Sequence, residues 1–177
     1  MTSPSTERRY PLATIQAIRA VANAHGLPIH LDGARLYNAV VASGVSAADY
    51  ARHFETVTFC LSKGLGAPAG SLIATDDLAL LERLRRFRRM YGGAMRQSGI
   101  LAAAGLYALE HHVQRLAEDH AHAKRQAARL EQIPGVSINP AAVDTNMVFF
   151  DVHGSRLSAP AFVAALRQEG VLLNAVN

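Results

Sequence analysis

The chain begins with a helix-like pattern that passes into a strand-like one. Apolar residues at helical spacing predict a helix over residues 11–25, and Gly26 then ends it. The short apolar run at 27–32 predicts a buried strand. Because the last residue of this run is polar, the pattern places Asp32 at the tip of the strand.

Two Ala-rich stretches, 34–43 and 47–54, are helical in character and lead to a second strand. The β-rich run at 56–61 predicts that strand, and a Gly-rich turn carrying Lys63 follows it directly. Residues 71–75 predict a third strand. Because the connection before it is short, we expect the third strand to run antiparallel to the second, which makes the sheet mixed.

The next two patterns predict helices that differ in how their apolar residues are distributed. Residues 76–91 carry one apolar stripe with arginines on the remaining surface, which is typical of an amphipathic helix. The helix predicted over 99–110 is apolar nearly all round, so we expect it to be buried, with Ser98 as its N-cap. A further helix is predicted over 113–132.

From Pro134 onward the predicted elements change from long helices to short strand-like runs, with one predicted helix at 159–169. The strand-like runs are 136–138, 147–152 and 171–173. We therefore predict an α/β fold in two parts. Residues 1–133 contain the mixed, mostly parallel sheet with flanking helices, and residues 134–177 begin a small α+β domain.

Composition and charge narrow the classes of function. Half of the 177 residues are apolar, and the formal net charge of +4 owes most of its excess to arginines within 82–89. That stretch lacks a nucleic-acid recognition motif, so we expect no nucleic-acid partner. No apolar run approaches the ~20 residues that cross a bilayer. The single cysteine, Cys60, permits no internal disulfide, and we predict a cytoplasmic protein without a membrane partner.

Asp32 and Lys63 are the first candidates for chemistry, because ligands of α/β sheets gather beyond the carboxyl ends of the strands. Each residue has an ordinary alternative. Asp-Gly is common in plain turns, and a lysine in a Gly-rich loop is usually a solvated surface charge.

Four histidines in a helical, charged stretch raise the question of a metal site. No carboxylate–histidine motif accompanies them, so we predict no metal and expect these side chains to be solvated. The four are His111, His112, His120 and His122.

Three segments contain longer motifs around these residues. They read HLDGARLYNA from residue 30, FCLSKGLGAPAGS from residue 59 and RRMYGGAMRQSGILAAAGLYAL from residue 88. In order and spacing they resemble the low-specificity L-threonine aldolase family. The resemblance implies the aspartate-aminotransferase-like fold of enzymes that use pyridoxal 5'-phosphate (PLP), and it makes residues 1–133 a part of the PLP-binding large domain.

By this resemblance, five residues form the side of the site that anchors the cofactor. Lys63 resembles the catalytic lysine that forms a Schiff base with PLP, and Asp32 resembles the partner of the pyridine nitrogen. Arg35 is implied near the phenolic oxygen, with a surface salt bridge to Asp32 as its alternative. Arg96 is implied to reach the phosphate from the neighbouring subunit of a dimer. Ser62 either donates to the phosphate or caps the turn.

The reaction implied by the resemblance is cleavage of the Cα–Cβ bond of L-threonine or L-allo-threonine to glycine and acetaldehyde, by a homodimer or homotetramer. The family's Gly-Thr phosphate loop, its cofactor-stacking residue and its substrate-carboxylate arginine have no counterpart here, so we expect impaired or no activity from this chain alone. Two alternatives stay open. One is another PLP reaction on the same fold, β-elimination or transamination, and the other is a non-catalytic remnant or dimerisation module.

Overall fold

The computed structural model describes residues 9–176, which divide into two compact units. The first, called here the sheet unit, comprises residues 9–118, and the second, the C-terminal unit, comprises residues 119–176. The elements of the sheet unit are α1 Leu12–Ala24, β1 His30–Asp32, α2 Leu36–Ser43, α3 Ala47–Ala51, β2 Thr56–Cys60, β3 Ser71–Ala74, α4 Leu78–Met90 and α5 Gly99–His111. Helix α6 covers Leu116–Leu130, and α7 covers Ala159–Gln168.

The sheet has the order β1-β2-β3. Strand β1 pairs parallel with β2, and β2 pairs antiparallel with β3, so the prediction of a mixed sheet in an α/β fold is confirmed. In the parallel pair, Asp32 lies opposite Thr58. Strand β1 is shorter than the predicted run 27–32, because only its last three residues pair with β2.

Two hydrophobic clusters hold the sheet unit together, and alternation along β2 explains the first. Val57 is buried on the face of the sheet that meets Ile15 of α1 and Leu36 of α2. The second cluster lies at the end of β2 and joins the following loop to α5 and α6. Its buried members are Leu61, Leu65, Ala67, Ala108 and Leu116.

Glu55, just before β2, connects three segments at the start of the two parallel strands. Its Oε2 accepts the Ile29 backbone N–H at 2.6 Å, and its Oε1 lies 2.7 Å from Nη1 of Arg19. These contacts tie the start of β2 to α1 and to the residue just before β1. The hydrogen bond from Ile29, followed by that from Arg19, lowers the pKa of the Glu55 carboxyl below its ordinary value of 4.5.

Helix α5 departs from its predicted burial. Among residues 9–176 only Gly105 and Ala108 of this helix are buried, and no described element covers the rest of its apolar surface. The large exposed side chains include Ile100, Leu106 and Tyr107. Ser98 occupies the N-cap position of α5 as predicted, but its backbone angles are helical and its hydroxyl caps no amide.

The C-terminal unit lacks the three predicted strands in its described part. A single antiparallel bridge joins Ser137 to Asp151, through two backbone hydrogen bonds of 2.8 Å. One bridged pair without a third strand is too little to propagate a ladder, which explains why the runs stay irregular. Helix α7 forms where it was predicted, and the core of this unit is Ala123, Ala127 and Val143.

Across residues 9–176, no helix is both long and apolar enough to cross a bilayer.

We predict that Glu55→Gln lowers the free energy of unfolding by about 1 kcal/mol at neutral pH, because a charged acceptor is lost from a partly exposed network. The pKa of Glu55 is lowered on folding, so its contribution is present above about pH 4.5 and is lost as the pH falls through the lower folded pKa. Denaturant unfolding at several pH values measures the difference between the two proteins, which should disappear in acid.

The control for this prediction is Glu82→Gln, which removes an exposed ion pair with Arg85 within α4. We expect a change within about 0.5 kcal/mol at every pH. Equal losses in the two variants would contradict a special role for Glu55.

Candidate active site

The carboxyl ends of β1 and β2 lie side by side, because the two strands are parallel neighbours. Asp32 is the last residue of β1, and its Oδ1 accepts the Ala34 backbone N–H at 3.1 Å, which turns the chain toward α2. The Asp32 side chain is exposed beyond the strand. The tip therefore presents a carboxylate whose orientation is set by the turn that follows it.

Gly33 makes this turn possible through close contact with β2. Its backbone N–H donates to the Thr58 carbonyl at 2.8 Å. A Cβ at Gly33 would come within 2.7 Å of that same oxygen, so a side chain has no room here. The glycine therefore allows Asp32 to stay close to the neighbouring strand.

Lys63 lies in the loop that leaves β2 at the same edge of the sheet. Its backbone carbonyl accepts the Gly66 N–H at 2.9 Å, and Gly66 has a φ of +73°, which favours glycine. Leu61 and Leu65, on either side of it, are buried. The lysine side chain is exposed, so the loop is anchored by its apolar residues and presents the amine outward.

The three remaining predicted residues are only partly brought to this edge. Ser62 is exposed next to Lys63, and Arg35 is half-buried as the N-cap residue of α2, three positions after Asp32. Arg96 lies in the exposed turn between α4 and α5, and its side chain forms no hydrogen bond or ion pair with another described residue. The sheet unit thus gathers four of the five predicted residues around two strand tips.

His30 was not singled out from the sequence, yet its ring links β1 to β2 beneath Asp32. Nδ1 lies 2.8 Å from the Thr56 hydroxyl and Nε2 lies 3.3 Å from the Thr58 hydroxyl. Residues two apart in a strand share a face, so His30 and Asp32 project from the same side of the sheet. The spacing His-x-Asp before a predicted turn was the signal available in the sequence.

The expectation that the four histidines are solvated is wrong for two of them. His120 is 6% exposed, and burial lowers its pKa. His112 is half-buried, and its Nδ1 lies 2.6 Å from the Leu65 carbonyl in the loop that carries Lys63. His111 and His122 are exposed, as expected.

Comparisons with known proteins identify the family to which the chain is related. A family model described as beta-eliminating lyase matches residues 7–153. The low-specificity L-threonine aldolase 1 of Arabidopsis thaliana is 43% identical over 159 residues, which are 89% of this chain and 44% of that protein. The low specificity L-threonine aldolase of Escherichia coli strain K12 is 44% identical over 149 residues, covering 84% of this chain and 43% of that protein.

A solved structure gives the same result for the fold. The crystal structure of a protein from Listeria monocytogenes, described as an L-allo-threonine aldolase, has a TM-score of 0.71 with this chain at 27% identity. The match covers 80% of this chain and 39% of that protein. The chain thus spans less than half the length of the relatives that it matches.

The fold defines an α/β protein whose candidate ligand site lies beyond the carboxyl ends of its parallel strands. The chain belongs to the beta-eliminating lyase family, whose model covers most of its length. The resemblance inferred from the three sequence segments is thereby confirmed.

The residues at the strand tips fit PLP in their chemistry. A carboxylate suits a protonated ring nitrogen, an exposed primary amine suits the aldehyde, and a hydroxyl and a guanidinium suit oxyanions. Asp32, Lys63, Ser62 and Arg35 supply these groups within one edge of the sheet.

We predict that Gly33→Ala lowers the free energy of unfolding by about 1–3 kcal/mol, because its Cβ would press on a backbone carbonyl that cannot rotate away. Gly99→Ala is the matched control, since a Cβ at the start of α5 meets nothing within 4 Å. Urea unfolding of the three proteins measures both effects. A Gly33→Ala variant as stable as Gly99→Ala would contradict the close contact between the tip of β1 and β2.

Proposed function

We propose that this chain supplies the cofactor-anchoring side of a PLP-dependent aldehyde-lyase that cleaves L-threonine or L-allo-threonine to glycine and acetaldehyde. The family assignment and the threonine aldolases among the relatives support this proposal. The family is generally PLP-dependent, which supports the choice of cofactor.

The observation that carries the proposal is the pairing of β1 with β2. It brings the carboxylate that ends β1 and the amine that follows β2 to one edge of the sheet, although 31 positions separate Asp32 from Lys63 in the sequence. Two surface charges that bind no common ligand would not need to lie at the same edge of the sheet. A cofactor that must be held at both its ring nitrogen and its aldehyde needs both groups.

Each residue has a distinct task in this proposal. Lys63 holds the cofactor covalently through its amine, and Asp32 holds a proton on the ring nitrogen. Arg35 and Ser62 place donors near the cofactor's oxygen atoms, and Arg96 is assigned to the phosphate. When bound, PLP supplies an electron sink for the bond that breaks at Cα.

Self-association belongs to the same proposal. Apolar residues cover most of the surface of α5, and a helix that is apolar all round is normally buried. We propose that a second copy of the protein covers this helix in a homodimer or a homotetramer. Arg96, in the turn just before α5, would then lie close to the subunit boundary.

The chain contains only two lysines, Lys63 and Lys124, which makes cofactor anchoring simple to test. We predict that PLP added to the purified chain and fixed by borohydride labels Lys63, as measured by peptide mass spectrometry. Lys63→Arg keeps the positive charge but removes the reactive amine, so it should abolish this label. The matched control, Lys124→Arg, should leave the label on Lys63 intact.

The outcome that overturns anchoring is equal labelling of Lys63 and Lys124 in the unsubstituted chain. The same preparation tests the reaction class. With L-threonine, the proposal expects any turnover to give glycine and acetaldehyde, whereas ammonia and a 2-oxo acid would favour β-elimination.

A further inference from the structure

A hydrogen bond from the end of α5 reaches the loop that carries Lys63. His112 is the C-cap residue of α5, and its Nδ1 lies 2.6 Å from the Leu65 carbonyl, 47 positions earlier in the chain. A carbonyl oxygen only accepts hydrogen bonds, so Nδ1 carries the hydrogen and donates it. The contact therefore fixes the tautomer of a neutral His112 ring.

Residues of α5 hold the His112 ring in place. Its backbone N–H donates to the Ala108 carbonyl at 2.9 Å, which closes the last turn of α5. Tyr107 packs against the ring edge to face, with centroids 5.5 Å apart. The donor is thus presented to the loop by a helix end whose Ala108 is itself buried in the core.

The loop that accepts this hydrogen bond is packed closely against neighbouring residues. Leu65 is 3% exposed, so its carbonyl lies where few water molecules can replace a lost donor. One residue before it, a Cβ at Gly64 would come within 2.9 Å of Leu116 Cδ2 and 3.1 Å of Asn38 Oδ1. The backbone around Lys63 therefore has little freedom as long as these neighbours stay in place.

We propose that His112 is a positioning residue that holds the Lys63 loop through the Leu65 carbonyl. It touches neither substrate nor cofactor in this role, and it acts through the backbone two residues beyond the lysine. The role rests on the function proposed for Lys63. It goes beyond that function because it assigns the precision of the lysine's placement to a residue at the far end of α5.

Lysyl endopeptidase tests this proposal without cofactor, because it cleaves only after Lys63 and Lys124. We expect His112→Ala to raise the cleavage rate at Lys63 about tenfold, since cleavage follows local opening and the loop loses one hydrogen bond to a buried carbonyl. The rate at Lys124 should not change. His112→Asn, whose amide can replace Nδ1 as the donor, should restore a rate close to that of the unsubstituted chain.

His111→Ala is the matched control, because His111 also packs against Tyr107 but its side chain is exposed and makes no hydrogen bond to the loop. We expect no change in cleavage at Lys63 for this variant. Equal acceleration at Lys63 and Lys124, acceleration in His111→Ala, or failure of His112→Asn to restore the rate would overturn the proposal.

Cofactor labelling supplies a second readout. When PLP is fixed by borohydride, the ratio of label on Lys63 to label on Lys124 should fall several-fold in His112→Ala and recover in His112→Asn, because the loop is no longer preorganised. An unchanged ratio in His112→Ala would contradict the positioning role. If the unsubstituted chain takes no label at Lys63, the proposed function fails, and protease cleavage still decides whether His112 holds the loop.

Discussion

The parallel pairing of β1 with β2 is the interaction on which the rest of the sheet unit depends. Strand β1 is only three residues long, so its position is set by its register with β2 and by the bond from Gly33 to the Thr58 carbonyl. His30 adds side-chain contacts across the same pair. If this pairing shifted, Asp32 and Lys63 would no longer end at one edge.

The site and the core share their supports. Leu61 and Leu65 bury themselves in the second hydrophobic cluster and thereby leave Lys63 exposed between them. The same cluster includes Ala108, one turn before His112, so the helix that donates to the loop is packed against the residues that anchor it. Substitutions in this cluster are expected to alter both stability and the placement of the lysine.

Most of the sheet unit could be predicted from the sequence because its signals are local. Alternating or apolar runs ended by Asp-Gly and by Lys-Gly identified both strands and both tips, and a short connection identified the antiparallel third strand. The prediction that α5 is buried was wrong for the part of the chain that the structure describes, because an apolar pattern does not specify which residues pack against a helix. The prediction of strands beyond residue 134 was wrong because a strand needs a pairing partner, which a run of apolar residues does not specify.

His112 shows why the support of the site escaped sequence analysis. Its contact with Leu65 spans 47 positions and involves a backbone carbonyl, which has no side-chain signature. His111 and His112 are adjacent in the sequence, and only the fold distinguishes them. His112 contacts the loop, whereas His111 is exposed to solvent. Residues at strand tips could be singled out from the sequence, whereas a side chain that contacts a distant backbone carbonyl could not.

The proposed function requires Asp32 and Lys63 to hold the same cofactor molecule. Nitrogen NMR of the chain reductively labelled at Lys63 with PLP carrying ¹⁵N in its ring tests this requirement. We predict that the ring nitrogen stays protonated to a higher pH in the unsubstituted chain than in Asp32→Asn, because a carboxylate beside it stabilises the added positive charge. The same nitrogen resonance in both proteins would contradict a shared site.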